Sequence, residues 1–143
     1  MTTRTLTRFA KRDDGQALIE FALITPFLLL FLVAIIEFGR AWNEHQVLTD
    51  AVREGARQAA IYDDAGVVTQ DSIEHVIKRV LFSNNMEPDS ANITLTNWNG
   101  GSGTPLTVSV QYPYRFIFFG ELASWALNTR KVMLNSSFTM RNE

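Results

Sequence analysis

A chain of 143 residues has room for one modest domain and one membrane segment. Its formal net charge of -2 offers no global basic surface to a nucleic acid, and the absence of cysteine rules out disulfides, thiolate metal sites and cysteine nucleophiles. Hydrophobic residues make up 46% of the chain, an ordinary total whose uneven distribution carries the information.

Residues 1–14 hold Arg4, Arg8, Lys11 and Arg12, then Asp13 and Asp14, with Leu6 and Phe9 as the bulky apolar residues. Such a segment buries no core and is expected to be disordered. Four basic residues just ahead of an apolar run predict an N-terminus on the cytoplasmic side.

From Phe21 to Ile36 no residue is charged and only Thr25 is polar. As a helix, this run covers about 24 Å, slightly short of a bilayer core. Extending it back through Ala17, Leu18 and Ile19 reaches the required length and predicts a span of about residues 17–38. Glu20 then lies inside the apolar zone near its cytoplasmic edge. A carboxylate costs on the order of 3 kcal/mol at a membrane helix centre and less towards the interface, so its presence asks for a role. A secretory signal shares the basic and apolar regions, but no small-x-small cleavage site follows and Glu37 to Arg40 continue as helical sequence. An uncleaved or differently cleaved anchor is favoured. Pro26 removes a backbone donor within the span and predicts a kink or local unwinding.

GQALIEF at 15–21, EFGRAW at 37–42 and QVLTDAVREGARQAA at 46–60 together resemble the TadE-like family, minor pilin-like (pseudopilin) proteins of tight-adherence, Flp-type pilus systems. The resemblance is strong over roughly residues 12–62 and looser over the closing TMRNE. It implies that a membrane-embedded prepilin peptidase cuts between Gly15 and Gln16. It also implies a place in pilus biogenesis and adhesion, with other pilin-like subunits and pilus assembly proteins as partners. Asp13 and Asp14 stand where such leaders are often basic.

The physics of the motif stands beside that resemblance. Cutting after Gly15 would create a positive amine on Gln16, and Glu20 lies one helical turn further on the same face. The positive end of the helix dipole favours the carboxylate there. Within a bundle, Glu20 can instead meet the amine of a neighbouring subunit, or in isolation it can snorkel to the headgroups.

Beyond Gly39 the sequence turns amphipathic and reads as helix to about Tyr62, with Trp42 suited to the outer membrane interface. Ala51, Gly55 and Ala59, four apart, form a small stripe that lets another backbone approach closely. Both packing within the chain and packing between subunits fit that stripe. Unbroken, residues 16–62 would form a helix near 70 Å long, half in lipid and half on the domain.

Residues 63–143 read as an extracytoplasmic α+β domain. Asp63, Asp64 and Gly66 are expected to stop the long helix. A second helix is predicted over 72–82, with Asp71 and Glu74 as a capping box and Ile73, Val76, Ile77, Val80 and Leu81 on one face. SNNMEPDS breaks the chain. Ile93 and Leu95, then Leu106, Val108, Val110 and Tyr112, alternate with polar residues and predict two strands joined by the flexible NGGSGTP. A final strand over 131–140 is expected to turn Val132, Leu134, Phe138 and Met140 inward. Residues 113–127 form a second apolar cluster, suited to a core, a membrane surface or a partner.

No chemistry-bearing constellation emerges. His45 and His75 have no second ligand at metal spacing, no nucleophile motif is present, and the glycine-rich loop lacks the lysine and the helix of a phosphate cradle. The expectation is a non-enzyme without cofactor, small-molecule substrate or nucleic-acid partner. The expected fold is α+β and pilin-like: a long N-terminal transmembrane-plus-stalk helix packed on a small antiparallel sheet with one additional helix. Residues 1–15 would be a cytoplasmic leader on a single-pass protein of the cytoplasmic membrane. The competing reading is an unprocessed single-pass envelope protein that scaffolds a secretion or pilus machine.

Overall fold

A single helix, α1, runs from Arg12 to Ala59 in the computed structural model, which describes residues 12–60, 68–120, 124 and 131–142. The chain divides into two units, residues 1–36 and residues 37–143, and α1 contributes to both. Arg12 to Gly15 are helical rather than disordered, because none of the four residues is a proline and helix propagates back from the apolar run at little cost. The expected leader before Arg12, the stop at Asp63, Asp64 and Gly66, and residues 121–123 and 125–127 of the second apolar cluster lie outside the described residues.

In the first unit no residue of the apolar window of α1 is buried. An exposed helix of that length and composition fits a single membrane span. α1 passes through Pro26 without unwinding, and the Thr25 hydroxyl donates to the Phe21 carbonyl at 2.6 Å.

The second unit begins at Glu37, directly after the charge-free run that ends at Ile36. Its core gathers Val47, Leu48, Ala51, Val52, Ala56 and Ala59 of α1 with Ile73, Ile77 and Leu81 of α2 and the inward residues of the sheet. α2 spans Gln70–Ser83. Its capping box is Thr69 with Ser72, not Asp71 with Glu74. Thr69 is extended, its hydroxyl accepts from the Ser72 N–H at 3.2 Å, and its own N–H donates to Ser72 Oγ at 3.0 Å. That moves the helix start two residues ahead of expectation. Past α2, Asn85 takes a positive φ of 59° and a 3-10 turn, Pro88–Ser90, leads into the sheet.

The sheet is antiparallel in the order β1 (Asn92–Thr96), β2 (Pro105–Arg115), β3 (Lys131–Arg141). β2 is central and buries Leu106, Val108, Val110, Tyr112 and Tyr114 in strict alternation. Pro113 to Arg115 thus extend β2 rather than belonging to the apolar cluster after it. β3 pairs Met140, Phe138, Ser136, Leu134 and Val132 opposite those five residues. Leu134 and Met140 are half-buried as expected, but Val132 and Phe138 stay exposed because β3 is an edge strand. The Arg53 guanidinium covers the Phe138 ring instead, 5.9 Å from its centroid. Ser136 sits among these inward residues, with its hydroxyl 3.3 Å from Thr49 Oγ1 on α1.

Candidate functional site

Gly15, Gln16 and Glu20 lie on the exposed part of α1. Gln16 and Glu20 meet one turn apart, where the Gln16 amide Nε2 donates to Glu20 Oε1 at 3.1 Å. Gln16 and Glu20 therefore share one face of α1. Space around Gly15 is open, with nothing within 4 Å of a side chain placed there.

Ala51, Gly55 and Ala59 are buried together and face inward. A Cβ on Gly55 would stand 2.5 Å from Ile77 Cγ1 and 2.7 Å from its Cδ1, so glycine is what lets α1 and α2 meet. The stripe packs within the chain, with Gly55 against Ile77.

A third site escaped the sequence. Glu37, the residue immediately after the charge-free run, is buried with only 2% of its surface exposed. Its Oε1 accepts from the Tyr114 hydroxyl at 2.8 Å and from the Ile117 N–H at 2.9 Å, and its Oε2 accepts from the Phe118 N–H at 3.2 Å. Arg40 lies 3.5 Å from Oε1, reaches Glu44 at 3.6 Å on its other side, and places its guanidinium 5.8 Å from the centre of the Tyr114 ring. Burial raises the Glu37 carboxyl, but the Ile117 N–H, the Tyr114 hydroxyl, the Phe118 N–H and the Arg40 charge together outweigh it and hold it below the ordinary carboxylate range. Burial, reinforced by the Glu37 carboxylate, pushes the Tyr114 phenol up to about 12. Burial also raises Glu44, against the pull of Arg40.

A family model described as TadE-like protein matches residues 15–57, from Gly15 through the last turn of α1. Residues 15–57 are similar to that family. That segment contains Gly15, Gln16, Glu20, Glu37, Arg40, Ala51 and Gly55, whereas Tyr114, Ile117 and Phe118 lie outside it. The TadE-like segment and its exposed apolar helix fit a pilin-like protein of the Tad system carried on a single membrane span. No curated protein and no solved structure matches the chain.

Glu37 was hard to find for a physical reason. With Arg40 three residues on, it has the spacing of an ordinary solvated pair on a helix. Its other partners are 77 to 81 positions away. The one local signal is its position, the first carboxylate after an uncharged run.

Proposed function

We propose that this chain is a minor pilin-like component of a Tad, Flp-type pilus assembly system, structural rather than catalytic. It enters the cytoplasmic membrane through the apolar part of α1 with residues 1–15 on the cytoplasmic side. A prepilin peptidase then removes those residues by cutting between Gly15 and Gln16. Freed of them, the helix packs with other pilin-like subunits, and the protein takes part in pilus biogenesis and adhesion. Glu20 neutralises the new Gln16 amine, its own or that of a neighbouring subunit, in a setting where an unpaired charge is costly.

The observation that carries this reading is the TadE-like match opening at Gly15, with Glu20 five positions on and an exposed charge-free helix directly after. Intact-mass measurement tests it: in cells holding the cognate peptidase, the mature chain should begin at Gln16. Retention of residues 1–15 in those cells would overturn processing. A Glu20→Ala variant should insert and be cut but fail to assemble, and normal pili from it would remove Glu20 from the assembly step.

A second reading, an unprocessed envelope scaffold, draws on one structural fact. α1 begins at Arg12, so the Gly15–Gln16 bond is helical and must unwind before a peptidase can reach it. Retained leader with intact pili would favour this scaffold.

A further inference from the structure

The loop after β2 is unusually apolar and unusually well held. Ile117 is 61% exposed and Phe118 58% exposed, although the backbone N–H of each is fixed by the buried Glu37 carboxylate. Phe116 anchors the near side, edge-on to the Tyr114 ring at 5.3 Å between centroids. Two large apolar side chains are therefore held outward by polar bonds beneath them, the opposite of a loop collapsing onto its core.

The position of the clamp says what those side chains meet. Glu37 directly follows Ile36, the last residue of the apolar run, and its carboxylate holds the backbone of the loop within 3.2 Å, at the level of the chain where that run ends. The helix is apolar at that level on another side as well. Phe38, about 100° further round the helix, is 69% exposed, and Trp42, stacked on it at 6.2 Å, is 58% exposed. A protein partner docking on one side would leave the other in water. A bilayer surface surrounds the helix and covers both, and indole and phenyl rings favour that depth. Arg115, exposed at the end of β2 just before the loop, adds a cation where headgroup phosphates lie.

We infer that Glu37 holds the 116–119 loop as a second membrane contact, with Ile117 and Phe118 inserted into the lipid interface. The inference rests on the single-span reading. It implies that extracting the helix from lipid must lift this loop out with it.

The absence of native cysteine makes the test direct. Single-cysteine variants Ile117→Cys, Phe118→Cys, Leu28→Cys in the span and Gln70→Cys on α2 are labelled with an environment-sensitive fluorophore in the full chain, reconstituted into phosphatidylcholine–phosphatidylglycerol vesicles. Labels at 117 and 118 should shift to the blue and be quenched several-fold more by a lipid-phase quencher than the label at 70, as the label at 28 is. Quenching of 117 and 118 by aqueous iodide to the same extent as 70, with 28 still lipid-quenched, overturns the loop contact and leaves the span standing. Aqueous quenching at 28 as well overturns the span reading, and the loop contact with it. Labels at 117 and 118 shielded from both quenchers would mean that protein covers the loop, which also overturns the inference.

Discussion

The Tyr114 hydroxyl donates to Glu37 Oε1 at 2.8 Å across 77 positions of sequence. That bond joins the far end of the central strand to the helix just where its apolar run stops, and the same carboxylate organises the backbone of the next loop. A charge buried this deeply is tolerated because hydrogen bonds to both oxygens, together with the Arg40 guanidinium, replace its water.

Removing that carboxylate should destabilise the folded unit. Glu37→Ala leaves the N–H groups of Ile117 and Phe118 without their acceptor and the Tyr114 hydroxyl without a carboxylate, a loss of about 2–4 kcal/mol. Glu37→Gln keeps one carbonyl oxygen and should lose less, because only one oxygen is replaced, by an amide NH2 that faces a donor. Thermal unfolding in detergent micelles reads the order. An unchanged midpoint for Glu37→Ala would show that the carboxylate does not hold the loop.

The same pair sets a pH dependence. Tyr114 titrates at about 12 in the folded chain against an ordinary 10.0, so the folded state holds the proton more tightly than the unfolded one. Its contribution is therefore complete below pH 10 and is lost as pH rises towards 12, at no more than about 1.4 kcal/mol per pH unit. Glu37 runs the other way: held below the ordinary 4.5, it contributes above that pH and loses its effect as pH falls through its folded value. Phenolate absorbance followed against pH should show a late step near 12 that Tyr114→Phe abolishes. A Tyr114→Phe curve identical to that of the parent would contradict this assignment.

Two glycines of α1 should respond in opposite directions. At Gly55 a methyl group meets Ile77 at 2.5 Å, so Gly55→Ala should cost about 1–3 kcal/mol in overpacking, reduced by roughly 1 kcal/mol of helix propensity. Combining it with Ile77→Ala should give a loss smaller than the sum of the two single changes, since the second makes room for the first. At Gly39 a methyl group meets nothing within 4 Å, and Gly39→Ala should stabilise by up to about 1 kcal/mol. Unfolding midpoints of the four variants decide the matter; strict additivity at 55 and 77 would mean the helices separate instead of clashing.

Local patterns were legible where one face is buried and the period is clear. Ile73, Ile77 and Leu81 mark α2, and Leu106, Val108, Val110 and Tyr112 mark β2, because each element turns one side to a shared core. Ala51, Gly55 and Ala59 announced a close approach but not its partner, since a small stripe is the same whether the neighbour is α2 or another chain. The helix start was misplaced because Asp71–Glu74 and Thr69–Ser72 both fit capping chemistry, and only backbone geometry separates them. β3 looked like a buried strand because alternation records which residues share a face, not whether the strand lies at the edge. That Gln16 and Glu20 share one helix face was legible from spacing alone, and their side chains meet there. The Glu37 clamp was not, as its partners arrive only when the sheet closes.

The last residues of the chain make a final long-range tie, and it separates into side-chain and backbone parts. Asn142 is buried; its carbonyl accepts from the Gly103 N–H at 2.8 Å, and its own N–H donates to the Thr104 carbonyl at 3.0 Å. Its amide Nδ2 donates to the Gly100 carbonyl at 2.5 Å and lies 3.3 Å from Thr104 Oγ1. Gly103 has a φ of +81°, where a side chain is strained, so the β1–β2 loop depends on these bonds and on glycine together. Asn142→Ala removes the side-chain bonds alone and should cost about 1 kcal/mol while leaving the Gly103 amide slow to exchange with solvent hydrogen. Ending the chain at Arg141 removes the acceptor too, and the Gly103 amide should then exchange rapidly while the amides of β2 remain protected. Equal protection of Gly103 in both variants would show that the loop holds its shape without the C-terminal tie.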